Sequence, residues 1–201
     1  LELFSAEHTD VLPETAEFLL LLREQTERLT QMTKTLLEMS NLQAVPRDDC
    51  IELAPLADEI VTDLTPLAQK KQITLHQECE DIHIIGSDAL IYRMLFNLVE
   101  NAIKYNQPGG SVQITISRSN GKAILRVADT GPGIPADCRE SIFQPFFRVD
   151  KSRSRENGGV GLGLSLVWEI VALHGGEIRV EESSEKGTTV AVKFPTDMKI
   201  K

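Results

Sequence analysis

The sequence predicts an α+β fold, a two-layer α/β sandwich whose mixed sheet is covered on one face by helices and preceded by a long helix. Three observations carry that expectation. Val112, Ile114 and Ile116 alternate with polar residues and run into Asn120-Gly121, a strong hairpin signal. Leu95, Leu98, Val99 and Ala102 recur at helical spacing inside Leu90 to Tyr105, so one face of a helix there is apolar. No regular βαβ repeat links these segments, which argues for antiparallel strands with helices gathered on one side.

Taken in order, Ser5 to Pro13 is polar and reads as a loop. Pro13 suits the first turn of a helix running to about Leu42. Its apolar positions, Leu22, Leu29, Met32, Leu36 and Met39 among them, fall at threes and fours, a stripe that needs a partner. Val45 to Cys50, with Pro46 and two aspartates, reads as a linker, and Ile51 to Leu53 as a short strand. Leu56, Ala57, Ile60, Val61, Leu64 and Ala68 mark a helix with Pro55 near its start. Pro66 is expected to kink or loosen its last turns. Ile73 to Gln77 and Ile82 to Ile85 are short strands. Ser87 or Asp88 caps the central helix, which ends before Asn106-Gln107-Pro108-Gly109-Gly110. The strand returning from the hairpin passes Ile124, Leu125 and Val127 to reach Asp129. A last helix, Leu164 to Leu173, is closed by Gly175-Gly176.

At 201 residues, 41% of them hydrophobic, the chain can hold one mid-sized domain with a real core, plus an appendage. A formal net charge of −9 argues against non-specific binding to nucleic acid or to anionic membranes. An anionic ligand must then be held by local cations and backbone amides. Cys50, Cys79 and Cys138 show neither metal-ligand spacing nor a pairing pattern, which fits structural thiols in a reducing compartment. No apolar run approaches membrane-spanning length, and no signal peptide is visible.

Chemistry gathers on the central helix. Asn97, Glu100, Asn101 and Lys104 occupy the face opposite the apolar stripe. Amide oxygens can complete the shell of a hydrated Mg²⁺, and a lysine suits its phosphates. Further on, Asp129-Thr130-Gly131-Pro132-Gly133 follows an apolar run, and its glycines let the backbone approach a ligand closely. Gly159-Val160-Gly161-Leu162-Gly163-Leu164 opens a helix whose N-terminal amides can hold phosphates. It is not a dinucleotide fingerprint, because the third glycine comes one residue early and the run follows a charged loop, not a strand. No P-loop sequence occurs. Phe143 to Asn157 is long, polar and basic, with Arg148, Lys151, Arg153 and Arg155.

With these motifs in this order, the chain resembles the catalytic and ATP-binding domain of sensor histidine kinases, within the wider superfamily of gyrase, Hsp90 and MutL ATPases. Asn97 to Asn101 is similar to the N box, Asp129 to Gly133 to the G1 box, Phe143 to Phe147 to the F box and Gly159 to Gly163 to the G2 box. The resemblance covers about Ile51 to Pro195. It implies three parts: residues 1–45 as the second helix of a dimerisation and histidine-phosphotransfer hairpin, 46–50 as linker, and 51–197 as the catalytic ATP-binding domain with its flexible lid. ATP and Mg²⁺ are the implied cofactors. Asn97 and Asn101 would ligate the metal, and with Arg148 at the γ-phosphate they form the implied catalytic set. Asp129 would accept a hydrogen bond from the adenine amino group, with Tyr105 against the base and Thr189 placing a hydroxyl near it. Asn101, Lys104, Gly131, Gly133, Ile134, Arg148, Lys151, Gly159, Gly161, Leu162, Gly163 and Leu164 complete the implied nucleotide site. Phe143, Phe146 and Phe147 are expected to anchor the start of the lid to the core.

The gyrase and Hsp90 relatives resemble one another in carrying a water-activating glutamate where this chain has Asn97, an amide that cannot act as a general base. The resemblance therefore implies transfer of the γ-phosphoryl group to a histidine, and from there to a response regulator. His8 lacks the family's acceptor motif, so the acceptor is expected upstream of Leu1, on the first helix of the parent's own hairpin. The parent is expected to be a homodimer, with this stretch the cytoplasmic portion of a membrane-bound sensor kinase. Two alternatives stay open. One is a protein-serine kinase of the anti-sigma-factor type, which shares these boxes; the other is a nucleotide-binding signalling module without transfer activity.

Overall fold

The computed structural model describes residues 13–149 and 160–196, so the expectations for His8, Lys151 and Gly159 fall outside the described residues. Helix α1 (Pro13–Asn41) leads through a 3-10 turn to β1 (Asp49–Glu52), α2 (Leu53–Lys71), β2 (Thr74–Cys79) and β3 (His83–Gly86). Next come α3 (Asp88–Lys104), β4 (Ser111–Ser119) and β5 (Lys122–Asp129), then two short 3-10 turns at Ala136–Cys138 and Ser141–Phe143. The described chain closes with α4 (Gly163–Leu173), β6 (Glu177–Ser184) and β7 (Gly187–Pro195).

Five strands form one sheet in the order β2-β4-β5-β7-β6, while β1 and β3 pair separately. The β2–β4 pair is parallel and the other neighbours are antiparallel, so the sheet is mixed. The β4–β5 hairpin turns at Asn120 and Gly121, both in the left-handed region at φ 50 and 70°, as a tight two-residue turn requires. Register then builds the core. Ile116, Leu125, Val192 and Ile178 stand in one cross-strand row, and Ile114, Val127, Val190 and Val180 in the next. Against these rows pack α2, α3 and α4, with α3 in contact with both its neighbours. Ile91, Leu95, Val99 and Ile103 of α3 are fully buried. Burying an aliphatic side chain of this size stabilises by about 1.5–3 kcal/mol. The opposite face of the sheet is polar: Arg126 grips Glu181 with Nε donating to Oε2 at 2.6 Å and a second contact of 3.3 Å. Strand β6 carries a bulge between Val180 and Glu182.

Four local expectations are corrected. The stretch read as a linker already contains the start of β1 at Asp49. Helix α2 runs unbroken through Pro66 to Lys71. Pro66 sits on the exposed face, where water can satisfy the Thr62 carbonyl deprived of its intrahelical donor. Ser87 does hold the N-cap of α3, yet its hydroxyl makes no capping bond. The Asp49 carboxylate accepts the Asp88 N–H instead, at 3.2 Å. Finally, Phe146 does not anchor to the core. Its ring is 54% exposed and its backbone left-handed at φ 64°, while Ile142 takes the buried position.

Candidate functional site

The polar face of α3 meets the first turn of α4. Asn97 Nδ2 donates to the Arg93 carbonyl at 2.7 Å, which turns the amide oxygen outward. A Cβ built on Gly163 would lie 3.2 Å from that oxygen and 3.7 Å from Asn101 Nδ2, so the two amides and the α4 N-terminus share one small space. A side chain at 163 would fill it. Leu162 is buried, Leu164 packs on the core, and Ser165 Oγ donates to the Leu162 carbonyl at 2.9 Å, fixing the turn that opens α4. The Gly161 carbonyl accepts the Phe146 N–H at 2.9 Å, so the F box and G2 box are held together by main chain. Lys104 pairs with Glu100 at 2.9 Å on the same helix face. Arg148 is half-buried near the end of the first described segment.

Asp129 ends β5. Its Oδ1 accepts the Gly131 N–H at 2.8 Å, and the Thr188 backbone amide donates to the carboxylate as well. Burial pushes the carboxyl above its ordinary value of 3.8, while the two amides pull the other way. The residual effect is upward. Gly133 is left-handed at φ 78°, and a Cβ there would come within 2.0 Å of the Ser184 carbonyl. Glycine is therefore required where the loop folds back on the β6–β7 hairpin. Ile134 N–H donates to Ser183 Oγ at 2.7 Å, and Ser183 Oγ lies 3.0 Å from Thr188 Oγ1. Tyr105 caps α3 with its ring 49% exposed, beside Gly131.

Register separates two neighbouring hydroxyl residues. Thr188, not Thr189, pairs with Asp129; Thr189 pairs with Ala128. Because side chains alternate along a strand, Thr189 shares the outward face with Ala191 and Lys193. Thr188 is buried on the helix side. Two hydroxyl residues in a row gave the sequence no means of choosing between them. Ser183 went unnoticed for the same reason, since the bulge in β6 sets its position.

Two groups of expected site residues result: Asn97 and Asn101 meet Gly163 where α4 opens after Gly161 and Leu162, and Asp129, Gly131, Gly133 and Ile134 gather between β5 and the β6–β7 hairpin, with the Tyr105 carbonyl beside Gly131. Among the described residues, no group of three or more His, Cys, Asp and Glu could hold a metal ion. Any metal here must lean on amide oxygens, water and ligand phosphates, the habit of Mg²⁺ and not of a caged transition metal. A cleft of about 730 Å³ lies elsewhere, bordered by Arg139, Phe143, Trp168 and Arg179. Neither asparagine nor Asp129 lines it.

Residues 86–198 match the family described as histidine kinase-, DNA gyrase B- and HSP90-like ATPases. The sensor histidine kinase RppB of Synechocystis sp. is 35% identical over 91% of this chain, which spans 41% of that protein. The nucleotide-free catalytic domain of histidine kinase ThkA superposes with a TM-score of 0.66 at 30% identity, covering 75% of this chain and 97% of that one. A structure of ThkA in complex with response regulator protein TrrA aligns over 97% of this chain and 55% of that chain, with a TM-score of 0.76 at 27% identity. The chain spans less than half the length of the curated relatives it matches. With a family match over more than half of its length and a relative 35% identical over most of it, the chain belongs to the histidine kinase-, DNA gyrase B- and HSP90-like ATPase family.

Proposed function

We propose that this chain is the ATP-binding catalytic core of a two-component sensor histidine kinase, passing the γ-phosphoryl group of Mg²⁺-ATP to a histidine outside its own residues and onward to a response regulator. The observation that carries the reading is the meeting of Asn97 and Asn101 with Gly163 at the start of α4. Asp129 accepts the adenine amino group with lone pairs its two backbone donors leave free, and Thr188 takes the role first expected of Thr189. Asn97 and Asn101 would hold Mg²⁺ by their side-chain amides, and the α4 N-terminus would hold phosphate. Bound Mg²⁺ neutralises phosphate charge. Arg148 adds a guanidinium at the γ-phosphate. Neither asparagine can take a proton, so the residues here position and neutralise, and the attacking imidazole supplies its own nucleophilic lone pair. Of the four histidines, His174 is buried and engaged, His76 and His83 lie on strands, and His8 lacks an acceptor motif.

The partners follow from the same reading. The exposed stripe of α1 pairs with a second copy and with the rest of a phosphotransfer hairpin, residues 1–45 contributing one helix, 46–50 a joint and 51–197 the ATP-binding part. The parent is a membrane-anchored sensor with this portion in the cytoplasm. No helix among the described residues is long and apolar enough to cross a membrane. The test is radiolabelled ATP with Mg²⁺ and the parent's helical hairpin supplied as a separate protein. Acid-labile label should appear on the hairpin and vanish with Asn101→Ala. Tight ADP binding without any transfer would leave only a nucleotide-binding module.

A further inference from the structure

His174 takes no part in the chemistry above, yet it is only 2% exposed and both its ring nitrogens are engaged. Nδ1 lies 2.7 Å from the Ile170 carbonyl, which can only accept, so Nδ1 carries the proton. Nε2 is then a bare acceptor, and it takes the Ser87 N–H at 3.0 Å. Ser87 is the N-cap of α3, and His174 ends α4. The ring lies so close to β3 that a Cβ on Gly86 would fall 2.6 Å from it, and Phe194 of β7 meets it edge-on at 6.1 Å.

The two helices run antiparallel, and their lengths match. From Ser87 to Asn97 is ten residues, about 15 Å of α3; from Gly163 to His174 is eleven, about 16 Å of α4. The imidazole thus closes one end of a helix pair whose other end is the Asn97–Gly163 contact. We infer that His174 is a positioning residue for the nucleotide, a neutral clasp that fixes the spacing of α3 and α4 and thereby the gap in which the asparagine amides face the α4 N-terminus. This rests on the nucleotide reading above.

Protonation breaks the clasp, because an imidazolium presents N–H to N–H at Ser87. Burial holds the ring below its ordinary value of 6.5, helped by Arg47 on the connection between α1 and β1 and opposed by the bond to Ile170. Of the other charged groups on the surrounding elements, Asp49 and Asp88 are exposed and joined to each other through the Asp88 amide. Lys193 lies on the face of β7 away from Phe194, and Glu169 precedes the last turn of α4.

The whole chain serves for the test, first without nucleotide. Imidazole nitrogen spectra should show the Nδ1–H form, titrating below 6.5; an Nε2–H form would overturn the clasp. Mg²⁺-ADP affinity is then measured from pH 8 to 5. The wild type should weaken on acidification, His174→Phe should be roughly five- to tenfold weaker at pH 7 with a shallower slope, since ADP phosphate and Asp129 still titrate, and His174→Gln, with both a donor and an acceptor, should recover affinity with that same shallower slope. Equal affinity and slope in wild type and His174→Gln would overturn the inference, and if a variant fails to fold, an Nε2–H imidazole or a wild-type affinity flat from pH 8 to 5 overturns it. A wild type with the Nδ1–H form but no Mg²⁺-ADP binding at any pH would refute the nucleotide reading itself and, with it, the positioning role.

Discussion

Helices α1 and α3 look alike on paper, since each carries apolar residues at threes and fours. Their fates differ. In α3, Ile91, Met94, Leu95, Leu98, Val99 and Ala102 are all less than a tenth exposed. In α1, Leu20, Leu29 and Leu37 are each about 60% exposed, and burial begins only near the C-terminal end with Thr35 and with Leu42 just beyond it. An amphipathic pattern states that a face must be covered; it does not state by what. For α3 the cover is its own sheet and two neighbouring helices. Among the described residues, the leucines in the first half of α1 stay exposed.

The sharpest way to break that contrast is to trim one leucine on each helix. Leu95→Ala should cost about 2–5 kcal/mol in urea unfolding, because it leaves a cavity in a filled interior. Leu29→Ala in a dilute monomer should stay within about 0.5 kcal/mol. A comparable loss at Leu29, or a melting temperature rising with concentration, would reveal a cover supplied by a second copy. The next test contrasts function with stability inside the α3 module. Asp129→Asn should weaken ADP binding by about 1.5–3 kcal/mol, the worth of a hydrogen bond to a charged group, and calorimetry reads this directly. Its effect on stability should have the opposite sign. The folded carboxyl sits above 3.8, so the folded protein holds this proton more readily than the unfolded chain. Its ionisation therefore costs stability as pH rises through the folded value. Subtracting the variant's stability from the wild type's should show wild type gaining ground as pH drops toward 3.8, and no such trend would mean that the carboxylate is not desolvated. The smallest effect joins the two helices. Arg93 on α3 donates to Glu38 on α1 at 3.2 Å, with both side chains about one third exposed. A double-mutant cycle of Arg93→Gln and Glu38→Gln should give about 0.2–1 kcal/mol, declining with salt. A larger, salt-resistant coupling would mean that α1 is docked rigidly on the module.

Local physics was legible in the sequence and long-range register was not. The α3 stripe, the Asn120-Gly121 turn and the left-handed Gly133 and Gly161 depend on neighbours within one or two turns, and each stands where periodicity or backbone freedom puts it. Thr188 and Thr189 differ only in which face of β7 they occupy, a matter settled by pairing with a strand some 60 residues earlier. Phe146 looked like an anchor because aromatics usually bury area, but the bond of its N–H to Gly161 dictates a left-handed backbone that turns the ring outward. His174 stands unmarked in the sequence between the last apolar helix and two glycines. Its partner is 87 residues away.

The bulge in β6 bears on how copies of this protein meet. A sheet with open ends offers unpaired amides and carbonyls to any passing strand, a route to fibrous association. At one margin, β6 is bulged between Val180 and Glu182 and studded with charges already paired: Glu177 with Lys122, and Glu181 with both Arg126 and Arg179. At the other, β2 turns His76, Gln77 and Glu78 to solvent. Neither margin invites strand addition, so the open ends of the sheet are guarded against cross-β growth while the exposed leucines of α1 stay clear of both.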